Sequence, residues 1–304
     1  MTKTQRMRAL INDDRICISP GVYDGYSIRL AQQMGYATAS TTGAGLANSR
    51  LGKSESIGIM SMLENVEACR ALADAVDIPL MADADTGYGN AVTVFHTVRA
   101  FEAAGVAGIN IEDQSYPKRC GHYAGKELID AREMAKKIEA AIDARRDDNF
   151  ILVARTDAIA VEGLDKAIER ARLYAAAGAD MIFPDAVRSE DQIRRFVDEV
   201  PAKLSINMGL GIRSRATTPL IPIPQLQAMG VARVSLPRMM TAAAIAGMRQ
   251  ALALMTESAD SGVVMDRPDL LVGIEEIMAL VGDDDVSAME QRYLLPEQLQ
   301  KKYR

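Results

Sequence analysis

Three carboxylates in two short polar motifs give the first indication of chemistry in this sequence. Asp83 and Asp85 lie in ADADTGYG, and Glu112 lies in NIEDQ. Residues i and i+2 of an extended chain point to the same side, and two like charges that close need a cation or a shared proton. Carboxylates without clustered Cys or His favour a hard ion, so we predict a Mg²⁺ site, with Mn²⁺ also possible. The alternative is that Asp85 and Asp113 cap the helices that follow them.

Further polar residues are placed where they could hold an anionic substrate. The glycines of TTGAG, residues Thr41 to Gly45, expose backbone N–H groups that can bind a carboxylate or enolate oxygen. Arg155 could clamp a carboxylate, or instead form a structural ion pair with a neighbouring acid. Asp185 and Asn207 could bind substrate or support the edge of the site.

The segment YPKRCGHYAG places Cys120 close to Lys118, Arg119 and His122, in a chain with only three cysteines and two histidines. Nearby cations lower the pKa of a thiol, which could then give or take a proton near neutral pH. A zinc site is not expected, because no second Cys or His lies at ligand spacing. A nucleophilic role, or no role at all, stays open. Cys17 and Cys69 are expected to be buried.

Alternation of short β-like runs with helical patterns predicts the scaffold that positions these residues. Eight such units favour a closed (β/α)₈ TIM-type barrel over an open doubly wound sheet, and catalytic groups then gather at the carboxyl ends of the strands. The predicted strands are Ile16–Val22, Ala37–Thr42, Pro79–Asp83, Ala107–Glu112, Phe150–Thr156, Asp180–Pro184, Lys203–Asn207 and Ala232–Leu236.

A helical segment follows the eighth unit, with the acidic run GDDD and a charged tail from Ser287 to Arg304. We therefore predict one domain, residues 1–304, with a barrel core of about 14–256 and extra C-terminal helices over 257–304.

Bulk composition excludes several classes of function. The 304 residues carry a net charge of −6, which argues against a nucleic-acid partner. The sequence has no apolar run of membrane-spanning length, and its polar start indicates a helix rather than a targeting segment. An odd number of dispersed cysteines fits a reducing compartment, so we expect a cytoplasmic protein.

The motifs DADTGYG, IEDQ, PKRCGH, ARTDA and AGADMIFPDA together resemble the isocitrate lyase and phosphoenolpyruvate mutase superfamily, from about Pro20 to Ala253. KRCGH resembles the motif of its carbon–carbon lyase branch. The resemblance implies a (β/α)₈ barrel whose eighth helix is exchanged between subunits, and a homotetramer.

The resemblance also implies roles for individual residues. Asp85 would hold Mg²⁺ directly or through water, with Asp83 and Glu112 completing the shell. Thr42, Gly43 and Ala44 would bind the keto-acid product, and Arg155 would contact its carboxylate. Lys118, Cys120 and His122 would lie on the loop that closes over the site, with Cys120 as the proton donor. The general base would be Tyr88 or a water molecule of the metal.

Several positions depart from the family pattern. Ser40 stands where many relatives carry Tyr, and Glu55 follows Ser54 where many have Pro-Asp. Asp185 stands where the methylisocitrate lyases carry Glu, and the run after Asn207 is long and carries Arg213 and Arg215. The expected substrate is therefore a malate-like 2-hydroxy dicarboxylate of the 2,3-dimethylmalate or 2-methylisocitrate type, cleaved at C2–C3 to pyruvate or a similar keto acid plus a carboxylate. The alternatives are an oxaloacetate hydrolase or decarboxylase on the same metal, and a barrel that binds without catalysis.

Overall fold

The computed structural model describes residues 1–54, 58–119, 125–213 and 218–302. Eight parallel strands pair in chain order and close into a barrel, with the first strand hydrogen-bonded to the eighth. The predicted (β/α)₈ barrel is therefore confirmed, and the open sheet is excluded. The strands are β1 Cys17–Val22, β2 Ala39–Thr41, β3 Leu80–Asp83, β4 Gly108–Glu112, β5 Ile151–Thr156, β6 Met181–Pro184, β7 Lys203–Asn207 and β8 Val231–Leu236.

Helices connect the strands and continue beyond the last one. Those up to β8 are α1 Lys3–Asn12, α2 Gly25–Gln33, α3 Gly43–Leu51, α4 Met62–Asp74, α5 Ala91–Ala103, α6 Ala131–Ala144, α7 Ala158–Val161, α8 Leu164–Ala176, α9 Glu190–Glu199 and α10 Ile223–Ala228. The rest are α11 Met239–Ser261, α12 Ile274–Val281, α13 Asp283–Tyr293 and α14 Pro296–Lys302.

The helix starts decide the role of two acids. Asn90 caps α5 by accepting from the amides of Val92 and Thr93, and Asp130 caps α6 by accepting from the amide of Arg132. Asp85 and Asp113 therefore do not cap the helices that follow them, and the capping alternative is wrong.

Apolar side chains fill the amino-terminal half of the barrel. Met7 and Ile11 of α1 pack against inward-facing residues that include Cys17, Met81 and Val153, so α1 closes this end. A larger apolar layer, which includes Cys69, lies between the strands and the surrounding helices. Both Cys17 and Cys69 are buried, as predicted. The core thus leaves the carboxyl ends of the strands free for polar groups.

The chain divides into two compact units, Met1–Ala242 and Ala243–Arg304. The first holds the whole barrel, and the second holds the rest of α11 with α12, α13 and α14. The predicted single domain with a core reaching residue 256 stays a prediction. In the part of the chain that the structure describes, no helix is long and apolar enough to cross a membrane.

Candidate active site

A small cavity of about 70 Å³ lies at the carboxyl ends of the strands. This is the end at which barrel enzymes place their chemistry. Seven residues predicted from the sequence line it, and they come from the ends of four strands and from one loop: Thr42, Gly43, Ala44, Asp83, Lys118, Arg155 and Asn207.

Two backbone amides hold the Asp83 carboxylate at the start of α3. The amide of Gly43 donates to Asp83 Oδ2 at 3.2 Å, and the amide of Asp85 donates to Oδ1 at 3.2 Å. Thr42 caps α3 by accepting from the amide of Gly45. A Cβ at residue 43 would lie 2.7 Å from Asp83 Oδ2, so only glycine permits this approach. The TTGAG segment therefore brings the amide of Gly43 to the acid of the next strand.

Asp85 is held in an unusual backbone conformation. Its φ is 49°, in the left-handed region that non-glycine residues rarely adopt. Its Oδ1 lies 2.9 Å from Lys118 Nζ, and the two side chains are 11% and 6% exposed. Strained backbone of this kind is kept where the surrounding structure fixes it, most often at functional sites.

A buried charge network surrounds Arg155. Its guanidinium donates two hydrogen bonds to Asp157, at 2.9 and 3.0 Å, and lies 3.2 Å from Glu112 Oε2 and 3.3 Å from Asp185 Oδ2. The ion-pair alternative for Arg155 is thus realised, yet the same side chain lines the cavity. Lys126 Nζ lies 2.7 Å from Asp157 Oδ1 and 3.9 Å from Asp185 Oδ2. Burial alone would raise the pKa of Asp157, but Arg155 and Lys126 bring it below its usual range.

The buried charge of Glu112 is only partly compensated by its neighbours. Burial raises its pKa well above the ordinary value, against the opposing effect of Arg155 and Lys118. Its Oε1 has no hydrogen-bond partner within the described residues. A cation nearby would favour the charged form and occupy this free oxygen.

The donor set fits a hydrated metal ion better than a ready-made protein cage. Within the described ranges no three Asp, Glu, His or Cys side chains are close enough to hold a metal by themselves. Mg²⁺ usually keeps several waters and binds through one or two carboxylates. Asp85 and the free oxygen of Glu112 suit the binding of such a hydrated ion. The predicted site of three acids, Asp83, Asp85 and Glu112, stays a prediction.

Tyr88 does not line the cavity, and Asn65 links it to Asp83. Asn65 Nδ2 donates to the Tyr88 hydroxyl at 2.7 Å and to the Asp83 carbonyl at 2.8 Å. Burial, together with the charge of Asp85, raises the pKa of Tyr88 well above its ordinary value. The phenol therefore stays protonated near neutral pH and is better suited to donate a hydrogen bond than to act as a base.

Asp185, Asn207 and Arg213 differ in how close they lie to the cavity. Asp185 is buried beside Arg155, and Asn207 accepts a hydrogen bond from Ser235. Arg213 is exposed and does not line the cavity, so its binding role stays a prediction. Cys120, His122, Glu55 and Arg215 lie outside the described residues.

Four residues at or beside the site were not singled out from the sequence: Lys126, Asp157, Asn65 and Arg233. Asn65 sits inside a helical pattern, and Lys126 and Asp157 sit in loops, so no periodicity marks them. Arg233 did carry a signal, because a lone charge interrupts the otherwise apolar run of β8 at an inward-facing position.

The molecule is a (β/α)₈ barrel with an acid- and arginine-lined cavity at the carboxyl ends of its strands, the arrangement of barrel enzymes that act on small anionic molecules. Residues 7–256 match the phosphoenolpyruvate phosphomutase family model, and the chain belongs to this family.

Curated relatives are similar over nearly the whole chain. The chain is 35% identical to 2,3-dimethylmalate lyase of Eubacterium barkeri, over 96% of this chain and 99% of that protein. It is 38% identical to 2-methylisocitrate lyase of Aeropyrum pernix, over 92% of this chain and 87% of that protein. The predicted family and the predicted enzyme class agree with these names.

Solved structures give the same result. An oxaloacetate acetylhydrolase in complex with the inhibitor 3,3-difluorooxalacetate superposes with a TM-score of 0.87 at 31% identity, covering 95% of this chain and 96% of that one. A phosphonopyruvate hydrolase in complex with oxalate and Mg²⁺ superposes with a TM-score of 0.85 at 32% identity, covering 97% of this chain and all of the other.

Proposed function

We propose that the protein is a Mg²⁺-dependent lyase that cleaves the C2–C3 bond of a malate-like 2-hydroxy dicarboxylate. The observation that carries this proposal is the arrangement around one small cavity: Asp83 beside the Gly43 amide, Asp85 beside Lys118, and Glu112 beside Arg155. Relatives named 2,3-dimethylmalate lyase and 2-methylisocitrate lyase support the reaction class.

Asp85 and Glu112 would hold the metal, with Asp83 oriented by its two amide bonds to complete the surroundings. The bound ion would supply Lewis-acid polarisation of the substrate oxygens. Mn²⁺ is the alternative ion, since carboxylate and water ligands suit both metals.

The chain's own groups would bind the substrate and move its protons. Arg155 and the turn formed by residues 42–44 hold the carboxylate of the 2-hydroxy acid end. A base removes the C2 hydroxyl proton, the C2–C3 bond breaks, and its electron pair stays on C3 while C2 becomes a carbonyl. Cys120 gives its proton to C3, completing the carboxylate fragment. Lys118 and His122 belong to the same loop as Cys120 and support it over the site. The closed loop excludes water from the carbanion.

Hydrolysis or decarboxylation of oxaloacetate on the same site is the second candidate, favoured by the likeness to oxaloacetate acetylhydrolase. A barrel that binds without catalysis is the weakest candidate, because the site keeps its acids, cations and turn glycine together. We also propose a cytoplasmic homotetramer with the eighth helix exchanged between subunits, which light scattering and sedimentation can test.

A turnover screen with Mg²⁺ tests the proposal. Malate, citramalate, 2,3-dimethylmalate, 2-methylisocitrate, isocitrate and oxaloacetate are supplied separately, and keto-acid release is recorded together with the second product. Cleavage of a 2-hydroxy acid to a keto acid and a carboxylate supports the lyase. Turnover of oxaloacetate alone supports the hydrolase, and no turnover of any of them contradicts both enzymes.

A further inference from the structure

Arg233 lies deep inside the barrel, below the acids of the site. It is on β8, where Arg233 and Ser235 face inward and Val234 packs in the outer apolar layer. Ser40 of β2 and Ser205 of β7 approach it from the barrel interior. Side chains two positions apart on a strand point to the same side. Ser40 lies two residues before Thr42, and Arg233 lies two residues before Ser235, so Ser40 and Arg233 belong to the layer beneath the cavity rim. Arg233 also lines the same cavity as Asp83 and Arg155.

The Arg233 guanidinium is buried with hydroxyl partners only. It is 1% exposed, and it donates to Ser205 Oγ at 3.1 Å and to Ser40 Oγ. Its Nε has no hydrogen-bond acceptor within the described residues. Ser40 is itself tied to Ser19, with 2.5 Å between the two hydroxyl oxygens. Burial lowers the pKa of Arg233.

Two other arginines of the barrel, Arg155 and Arg170, have carboxylate partners. Arg155 has three carboxylates around it, and Arg170 makes paired bonds to Glu162 at 2.7 Å each. Arg233 forms no ion pair with a described carboxylate. A buried charge without a counter-ion is costly, and it is kept when an anion completes the pair. Arg233 lines a cavity whose rim binds an anion in the proposed reaction.

We propose that Arg233, with Ser40 and Ser205, forms a carboxylate subsite at the inner end of the cavity. The proposal rests on the proposed function and deepens it. The keto acid that the rim holds through Arg155 and the turn of residues 42–44 then carries a second carboxylate at its inner end. The retained product is then a 2-oxo dicarboxylic acid, so the substrate has the malate-like core of the proposed function with one further carboxylate on its C2 substituent, and the C3–C4 part still leaves as the carboxylate fragment. The small cavity of about 70 Å³ limits the C2 substituent to a short chain.

Ser40 is the second half of this subsite. A serine at this position leaves room for the guanidinium and offers it an acceptor. A bulky aromatic side chain there would take the space that Arg233 occupies. Arginine rather than lysine suits the role, because its planar fork can bind a carboxylate through two parallel bonds.

Calorimetric binding with Mg²⁺ present tests the subsite with two probes, 3,3-difluorooxaloacetate and 2-oxobutyrate. Both are four-carbon 2-oxo acids, and only the first ends in a carboxylate. In Arg233→Met we expect the affinity for difluorooxaloacetate to fall about 10- to 100-fold, the usual effect of losing a charged hydrogen bond. The affinity of Arg233→Met for 2-oxobutyrate should stay within about threefold of the wild-type value. The affinity of Arg233→Lys for difluorooxaloacetate should lie between those of the wild type and Arg233→Met.

Arg145→Met is the matched control, because Arg145 pairs with Asp180 at the amino ends of the strands, 3.1 Å away. It should leave the ratio of the two affinities unchanged. An equal loss of both probes in Arg233→Met, or no loss of either, overturns the subsite and makes Arg233 a structural cation. If the wild-type protein binds 2-oxobutyrate but the ratio does not depend on Arg233, the subsite fails while the proposed function stands. If it binds neither probe, both fail.

Discussion

Lys118 Nζ lies 2.9 Å from Asp85 Oδ1, and both side chains are nearly buried. The lysine precedes Cys120 by two residues, and the aspartate is the acid proposed to hold the metal. One contact therefore joins the segment proposed to deliver a proton to the group proposed to bind the cation. The ammonium also compensates a buried carboxylate whose backbone is strained.

Lys118→Met should raise Mg²⁺ affinity while lowering turnover. Removing a positive charge 2.9 Å from Asp85 relieves repulsion against an incoming cation, by a factor on the order of tenfold. Calorimetric Mg²⁺ titration and keto-acid release measure the two effects separately. Lys136→Met, at an exposed lysine that pairs with Glu139 on α6, is the control. Unchanged Mg²⁺ affinity would show that Lys118 does not compete for the metal site.

Asp85→Asn should abolish metal-dependent activity and weaken Mg²⁺ binding at least about 100-fold. Asparagine is the right replacement, because it tolerates the left-handed φ of 49° and keeps the side-chain shape. Calorimetry gives the affinity, and the turnover assay gives the activity. Asp165→Asn, at an 82% exposed side chain, serves as the control. If Mg²⁺ affinity survives in Asp85→Asn, the metal assignment is wrong.

Cys120→Ala should remove most lyase turnover and leave Mg²⁺ and keto-acid binding intact. The reason is that a proton donor acts on the carbanion after the bond breaks and does not hold the substrate. Cys120→Ser, a weaker acid of similar size, should restore little of the turnover. Wild-type turnover in the alanine variant contradicts the proton-donor role.

Gly43→Ala should lower kcat/KM at least about tenfold with little change in fold stability. The new Cβ would lie 2.7 Å from Asp83 Oδ2, so the carboxylate must move away from its amide bond. Gly25→Ala is the matched control, since a Cβ there meets nothing within 4 Å. Steady-state kinetics and thermal unfolding of both variants decide the matter, and equal kinetics in the two would show that Asp83 need not stay at the start of α3.

Asp157→Asn should destabilise the protein at neutral pH and reduce its sensitivity to acid. Arg155 and Lys126 hold the pKa of Asp157 below its usual range, so its contribution is present above about pH 4 and is lost as the pH falls towards the lowered value. Breaking this buried pair should cost about 3–5 kcal/mol at pH 7. Urea unfolding between pH 2 and 7 measures it, with the exposed Asp148→Asn as the control. A parallel pH dependence in wild type and Asp157→Asn counts against this linkage.

The local pattern of the sequence determined the order of strands and helices and most of the site. Alternation of elements predicts eight parallel strands, and parallel strands bring their carboxyl ends to one edge. Asp83, Glu112 and Arg155 could thus be placed near each other, because each ends a strand. The strand limits shifted by at most two residues, as at β2, which begins at Ala39 rather than Ala37.

Only the tertiary structure decided which charges meet. Arg155 forms its pairs with Glu112 from the neighbouring strand and Asp157 from its own loop, and Lys126 arrives from 31 residues away to share Asp157. Burial then sets the pKa of Glu112 and leaves Arg233 with hydroxyl partners alone. A sequence gives the identity and spacing of charges, whereas desolvation and ion pairing depend on distances across the closed barrel, which exist only after it has formed.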